Sequence, residues 1–191
     1  MDSKTSVKAV HKSLRVRWKK VDGADGYDIY AAVCGGKFEG IVKSVEGDAK
    51  SVTIKKIAGK TLKTKQSYKV KVKAYRMVDG KKVYIANGRT LHVVFGSNAE
   101  YTNAGKVRVN KKNYTLKEGK TAKIRASIVK QEKTKKLLSK GHGAKLTYVS
   151  TDTAVAKVSK NGKIAAKKEG RCTIYVYALN GKCTKMKVTV R

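Results

Sequence analysis

The chain has 191 residues, which suits one large domain or two small ones, and it contains no proline. Lysine and arginine number 46 against 13 acidic residues, and the formal net charge of +33 favours contact with polyanions while saying nothing about fold. No apolar run approaches the roughly 18 residues of a membrane span. Residues 1–18 also lack the apolar core of a signal peptide, so the sequence belongs either to a cytosolic protein or to a segment of a longer exported one. We expect the second, located outside the cell or associated with its surface.

The first half of the chain alternates apolar and polar residues in short runs that end at turn residues. Such alternation is typical of half-buried β-strands, and Asp79-Gly80 is a pair that favours a tight hairpin turn. About seven strands at this spacing predict a sandwich or a barrel.

Several residues of this half resemble a bacterial fibronectin type III domain. Trp18 matches the core tryptophan of the second strand, and Tyr27 with Ile29 matches the pattern of the third strand. Leu62 and Tyr68 match the leucine and tyrosine of the tyrosine corner, in which the phenol ties down the loop entering its strand. The resemblance covers about residues 5–96 and implies a β-sandwich. The chain has no Arg-Gly-Asp sequence, so the integrin-binding motif of some members is not carried over.

The second half contains two Asn-Gly pairs, Asn161-Gly162 and Asn180-Gly181, each between alternating runs. Asn-Gly is the strongest short-range hairpin signal, because both residues tolerate a positive φ. The charged stretch Lys130–His142 breaks the alternation, and we expect it to form a long loop with at most one helical turn.

This half is similar to the bacterial immunoglobulin-like domain, group 2, which is found in intimin- and invasin-type surface adhesins and in many cell-wall proteins. The matching positions, over about residues 105–191, are Leu116, Gly119, Tyr148, Ser150, Ala156, Val158, Gly162, Ile164, Gly170 and Ile174. The sequence as a whole predicts an all-β fold of two tandem immunoglobulin-like or fibronectin-like β-sandwiches. We expect residues 1–97 to form the first and residues 98–191 the second, with a short polar break at residues 96–99.

Three cysteines allow at most one disulfide. In a hairpin that turns at Asn180-Gly181, Cys183 lies opposite about residue 178 and therefore too far from Cys172 to be bridged. Cys34 is distant in sequence. We expect three unpaired thiols that are partly buried.

Catalytic motifs are missing from the sequence. The three histidines, His11, His92 and His142, are dispersed, and no spacing of cysteine and histidine fits a zinc site. Asp22, Asp25 and Asp28 lie close together around a turn, where ordinary turn chemistry is favoured over a calcium site. We expect no enzyme activity, no cofactor and no metal site.

One strand face is the candidate binding surface. Lys69, Lys71 and Lys73 alternate with apolar residues and Tyr75 continues their face, while Tyr30 lies nearby if the third strand is a neighbour. Aromatic rings among lysines can stack on sugars and attract anions. The alternative is that the charge is general, serving solubility and adherence to the cell wall.

These features favour a non-catalytic pair of modules for spacing and adhesion, which contacts anionic wall polymer or host glycan. A protein partner is also compatible with them. An alternative is a carbohydrate-binding accessory region of an exported glycosidase or peptidase. Nucleic-acid binding ranks last, because neither a recognition helix nor an aromatic RNA-binding motif accompanies the charge.

Overall fold

The structure is a computed structural model that describes residues 5–138 and 141–191. Every regular element in these two ranges is a β-strand, which confirms the predicted all-β fold class. No helix in the described part of the chain is long and apolar enough to cross a membrane. In chain order the strands are β1 Ser6–Val10, β2 Ser13–Arg17, β3 Gly26–Val33, β4 Lys43–Glu46, β5 Ser51–Ile54, β6 Lys56–Ile57, β7 Lys60–Thr61, β8 Ser67–Val78, β9 Lys81–Asn87, β10 Leu91–Val94, β11 Tyr101–Thr102, β12 Ala104–Val109, β13 Asn113–Leu116, β14 Thr121–Lys123, β15 Ala126–Lys130, β16 Lys136–Leu137, β17 Leu146–Ser150, β18 Ala156–Val158, β19 Lys163–Ala166, β20 Gly170–Ala178 and β21 Cys183–Val190.

The chain divides into two compact units. Unit 1 comprises Met1–Asn103 together with two short segments from further along the chain, Thr134–Gly143 and Leu179–Gly181. Unit 2 comprises Ala104–Lys133, Ala144–Ala178 and Lys182–Arg191. The predicted domain boundary between residues 97 and 98 stays a prediction.

Unit 1 contains a three-stranded sheet of order β1-β2-β5 and a five-stranded sheet of order β10-β8-β3-β4, in which β9 also pairs with β8. Alternation along β8 places Tyr68, Val70, Val72 and Ala74 in the core and every second residue outside. The core residues that the sequence singled out are buried: Trp18, Tyr27, Ile29, Leu62 and Tyr68.

The tyrosine corner is formed as the resemblance implies. The Tyr68 hydroxyl accepts a hydrogen bond from the Lys63 backbone N–H at 2.6 Å and donates to the Lys63 carbonyl at 3.1 Å. These two bonds hold the chain that enters β8 against the ring of a fully buried tyrosine.

Unit 2 contains the four-stranded sheet β13-β21-β20-β17, the three-stranded sheet β14-β19-β18 and the pair β12-β15. The strands β20 and β21 form the predicted hairpin, with Tyr177 opposite Cys183, and β13 runs parallel to β21. The core side chains come from the apolar faces of these strands, among them Ile164, Ile174, Val176, Met186 and Val188.

The segment Lys130–His142 differs from the expected loop with a helical turn. Its described residues include β16, which pairs in parallel with β11, and the Lys136 N–H donates to the Glu100 carbonyl at 2.9 Å. Leu138 is buried, so this segment contributes an apolar side chain to the fold despite its charge.

The three cysteines are unpaired, as predicted, but the expectation that all three are partly buried is wrong for Cys183. Cys34 is half-buried, Cys172 is buried and Cys183 is exposed.

Candidate functional site

The outward face of the five-stranded sheet carries the five residues that the sequence selected. Lys69, Lys71, Lys73 and Tyr75 occupy the outer positions of β8, and all four are half-buried. Tyr30 on β3 lies directly opposite Lys71. The structure therefore brings all five onto one surface, and their part in ligand binding stays a prediction.

Aromatic rings on this surface lie under lysine ammonium groups. The Lys73 Nζ is 4.7 Å from the centre of the Tyr30 ring and 4.6 Å from that of Tyr84, while the Lys82 Nζ is 4.2 Å from that of Tyr75. Each of these distances lies within the range of a cation–π contact.

The same surface continues onto the loop after β3. The Lys69 Nζ lies 4.7 Å from the centre of the Phe38 ring, and the Phe38 and Tyr30 rings meet edge to face at 6.2 Å. We call this surface the aromatic–lysine face. It comprises Tyr30, Phe38, Lys69, Lys71, Lys73, Tyr75, Lys82 and Tyr84.

A buried carboxylate holds the centre of the face together. Asp28 has no exposed surface, and it accepts hydrogen bonds from the Ser44 hydroxyl at 2.6 Å, the Lys82 ammonium at 2.8 Å and the Tyr84 hydroxyl at 2.8 Å. The Tyr30 and Tyr84 hydroxyls are 2.9 Å apart. Asp28 thus fixes the side chains of Lys82 and Tyr84, which are two members of the face.

The ionisation of these groups follows from their contacts. Burial tends to raise the pKa of Asp28, but the hydrogen bonds from Lys82, Ser44 and Tyr84 outweigh it and lower that pKa below 3.8. The hydrogen bond to Asp28 raises the pKa of Lys82. Hydrogen bonding to Tyr30, burial and the Asp28 carboxylate raise the pKa of Tyr84. At neutral pH a charged Lys82 ammonium and a neutral Tyr84 phenol therefore flank the ionised Asp28 carboxylate.

The sequence reasoning missed Phe38, Lys82 and Tyr84. The sequence did contain a signal for Lys82 and Tyr84, because a two-residue turn at Asp79-Gly80 fixes the register of its hairpin. In the structure Val78 pairs with Lys81, so Tyr84 falls opposite Tyr75. Phe38 lies outside the strands, where no periodicity indicates its position.

Two of the three aspartates near residue 25 have separate partners. Asp25 accepts a hydrogen bond from the Met77 N–H at 2.7 Å, whereas Asp28 is engaged by Lys82 on the sheet. These contacts are the hydrogen bonds expected of carboxylates at a turn and on a sheet.

A second cluster in unit 1 was not foreseen. Cys34, His92 and His142, which are scattered in the sequence, each offer a donor atom, and these atoms lie within 4.8 Å of one another. The Cys34 Sγ is 3.3 Å from the His92 Nδ1, which is 3.4 Å from the His142 Nδ1. Burial raises the pKa of Cys34 against the opposing influence of Ser67 and Lys69. Burial, His142 and Lys69 lower the pKa of His92 to about 4, so its imidazole is neutral at physiological pH.

Strand pairing explains how two of these residues meet. His92 on β10 lies opposite Lys69 on β8, and the Cys34 N–H donates to the Ser67 carbonyl at 2.9 Å on the other side of β8. His142 comes from the segment Thr134–Gly143 of the same unit.

The comparison with protein families supports the resemblance stated for the second half of the sequence. Residues 103–189 match the model of the family described as bacterial Ig-like domain (group 2). This confirms the predicted bacterial Ig-like resemblance for that part of the chain. No curated protein matches the chain.

Solved structures similar to the chain include surface proteins and fibronectin arrays. The S-layer protein rSbsC(31-844) has 18% identity and a TM-score of 0.38 over 94% of this chain, which spans 23% of that structure. The C-terminal fragment of intimin, solved with the intimin-binding domain of the translocated intimin receptor, has 15% identity and a TM-score of 0.31 over 100% of this chain and 65% of its own. The FN1-FN3 domains of chicken CNTN1 have 12% identity and a TM-score of 0.34 over 97% of this chain and 62% of their own.

Proposed function

We propose that the chain is a non-catalytic spacer and adhesion segment of a larger exported bacterial protein, located outside the cell or at its surface. Its aromatic–lysine face binds an anionic polymer or glycan of the cell wall or of a host. The family match over residues 103–189 supports the surface location, because the resemblance stated for that family is to adhesin and cell-wall modules.

The observation that carries the proposal is the pairing of rings and ammonium groups on one sheet. A sugar ring can stack on an exposed phenol, while a sulfate, phosphate or carboxylate on the same polymer can contact the neighbouring lysine. Tyr84 is 37% exposed, and Tyr30, Lys71 and Lys73 are half-buried, so these groups remain accessible to a ligand.

Positive charge alone favours binding to many polyanions, so the proposal is that the face prefers anionic glycans to other polyanions. The net charge of +33 attracts polyanions from a distance, but exposed charges are screened over about 10 Å at 0.1 M salt. Contacts between sugar faces and aromatic rings are apolar and respond less to salt. A specific face should therefore keep part of its affinity for an anionic glycan at physiological salt.

The test compares two triple variants with the same change in charge. Lys69→Ala/Lys71→Ala/Lys73→Ala removes three charges from the face, and Lys160→Ala/Lys163→Ala/Lys168→Ala removes three exposed charges from unit 2. Binding to teichoic acid, heparin, a neutral polysaccharide and DNA is measured at low and at physiological salt.

The expected result is an affinity for an anionic glycan that falls by about a hundred-fold or slightly more in the face variant, because three lysines at about 1 kcal/mol each near an anionic surface contribute about 3 kcal/mol. The unit 2 variant should lose no more than about threefold. Equal losses in both variants, or binding to all polyanions that disappears at physiological salt, would refute a specific face. Preference for the neutral polysaccharide would instead indicate the accessory region of a glycosidase.

A further inference from the structure

We propose that Cys34, His92 and His142 form a binding site for one Zn²⁺ ion, with a thiolate and two imidazoles as ligands. None of its three ligands belongs to the aromatic–lysine face, and the proposal does not rest on the function proposed for that face. It lies entirely within unit 1.

Two separations between the donor atoms are close to those of a tetrahedral zinc site. Zinc binds imidazole nitrogen at about 2.05 Å and thiolate sulfur at about 2.3 Å, so tetrahedral angles separate two nitrogens by about 3.3 Å and a nitrogen from a sulfur by about 3.6 Å. The observed separations are 3.4 Å between the two Nδ1 atoms and 3.3 Å between the Cys34 Sγ and the His92 Nδ1. The third separation is within 4.8 Å.

Hydrogen bonds alone do not account well for the way these three donor atoms converge. The His92 Nδ1 has both the Cys34 sulfur and the His142 Nδ1 as close neighbours. A ring nitrogen either donates one proton or offers one lone pair, so it can satisfy only one of these two neighbours. A cation between the three atoms would accept a lone pair from each of them at once. The two imidazole rings are also nearly perpendicular, at 87°, which keeps them from stacking while their nitrogens converge.

The choice of ion follows from the donor set. One thiolate with two imidazoles suits zinc or another borderline or soft transition metal, whereas magnesium and calcium prefer oxygen ligands. Three protein ligands leave the fourth tetrahedral position for water or for a ligand from outside. On binding, the Cys34 thiol releases its proton to the solvent and the sulfur lone pair forms the bond to the metal.

The positive charge of the neighbouring Lys69 opposes metal binding, and its removal provides an internal check. Lys69 lies opposite His92 across the strands, and its ammonium also acts on Cys34. Removing this charge should strengthen metal binding while it weakens the proposed binding of an anionic glycan. Lys69→Ala should therefore raise the affinity for the metal and lower the affinity for an anionic glycan.

The experiment uses the reduced full chain with Cys183→Ser, because the exposed Cys183 thiol could bind metal on its own. Co²⁺ serves as the spectroscopic probe and Zn²⁺ as the competitor. The expected result is one equivalent of Co²⁺, with a thiolate-to-cobalt charge-transfer band that Zn²⁺ abolishes.

The variants assign the site. Cys34→Ser should remove the band, and His142→Ala should lower the affinity at least about 100-fold, since even an outer partner of a zinc ligand is worth 10–100-fold. His142→Cys should restore binding, which a merely structural role for His142 does not predict. His11→Ala, the matched control at the third histidine, should leave the affinity unchanged. Trp18 fluorescence verifies that each variant is folded.

Several outcomes would overturn the site. They are a charge-transfer band that persists in Cys34→Ser, an affinity unaffected by His142→Ala, and the absence of any Co²⁺ or Zn²⁺ binding at submillimolar concentrations.

Discussion

Replacement of Asp28 by alanine should strongly destabilise unit 1. Asp28 has no exposed surface, and its carboxylate accepts hydrogen bonds from Ser44, Lys82 and Tyr84 at 2.6 to 2.8 Å. The substitution removes the acceptor for three donors at once and leaves their positions without a common anchor.

The magnitude depends on whether the donors can return to water. Removing one partner of a fully buried ion pair costs about 3–5 kcal/mol, because the other charge stays buried. The Lys82 side chain is 35% exposed and Tyr84 is 37% exposed, so both can rehydrate. We therefore count roughly 1 kcal/mol for each of the three bonds and expect the free energy of unfolding to fall by about 3 kcal/mol.

The assay uses the single tryptophan as a local reporter. Trp18 is buried in the core of unit 1, with its ring centre 5.1 Å from that of Tyr27, so its fluorescence follows the unfolding of that unit in urea. The two units need not unfold together, and a probe confined to one of them avoids assuming a single transition for the chain.

The matched control is Asp48→Ala. Asp48 is an exposed carboxylate of the same unit, and its replacement changes the net charge equally but should alter the free energy of unfolding by less than about 0.5 kcal/mol. A loss below about 1 kcal/mol in Asp28→Ala, or equal losses in the two variants, would refute the view that Asp28 anchors the face.

Three further predictions follow from described contacts. In Asp28→Asn the destabilisation should be constant near neutral pH and shrink as the pH falls below 3.8, because a carboxylate whose folded-state pKa is lowered contributes its full stabilisation above its unfolded pKa and loses it as the pH falls through the folded pKa; a difference that persists at low pH would contradict this. Tyr68→Phe removes both hydrogen bonds to Lys63 and should cost about 1–3 kcal/mol by Trp18 fluorescence. Gly162→Ala should lower the urea midpoint of unit 2, measured by circular dichroism, because φ is +77° and the new Cβ would lie 3.0 Å from the Tyr148 ring.

Much of the fold could be predicted because its signals are local. Period-two alternation identified β8 and β20, and Asp79-Gly80 indicated a turn in which Asp79 and Gly80 both adopt a positive φ, at 48° and 72°. The same alternation assigned Lys69, Lys71 and Lys73 to one outer face. The cross-strand position of Tyr30 needed only the strand order implied by the fibronectin resemblance.

The unpredicted part depends on contacts between residues that are distant in sequence. Asp28 lies on the outward side of β3, where its alternation predicts exposure, yet it is buried because β4 and β9 deliver Ser44, Lys82 and Tyr84 over it. Likewise, no short motif links Cys34 with His92. They approach each other only because β3 and β10 flank β8 on opposite sides.

The parallel pairing of β13 with β21 determines how unit 2 resists a pulling force. The two strands pair from Asn113 with Lys187 to Leu116 with Val190. Tension between the start of β13 and the end of β21 acts along both strands in opposite directions. It therefore loads all their hydrogen bonds together, whereas a hairpin peeled from its open end breaks them one after another. Unit 2 should therefore resist tension applied between these two points, which is the property that the proposed spacer role would require.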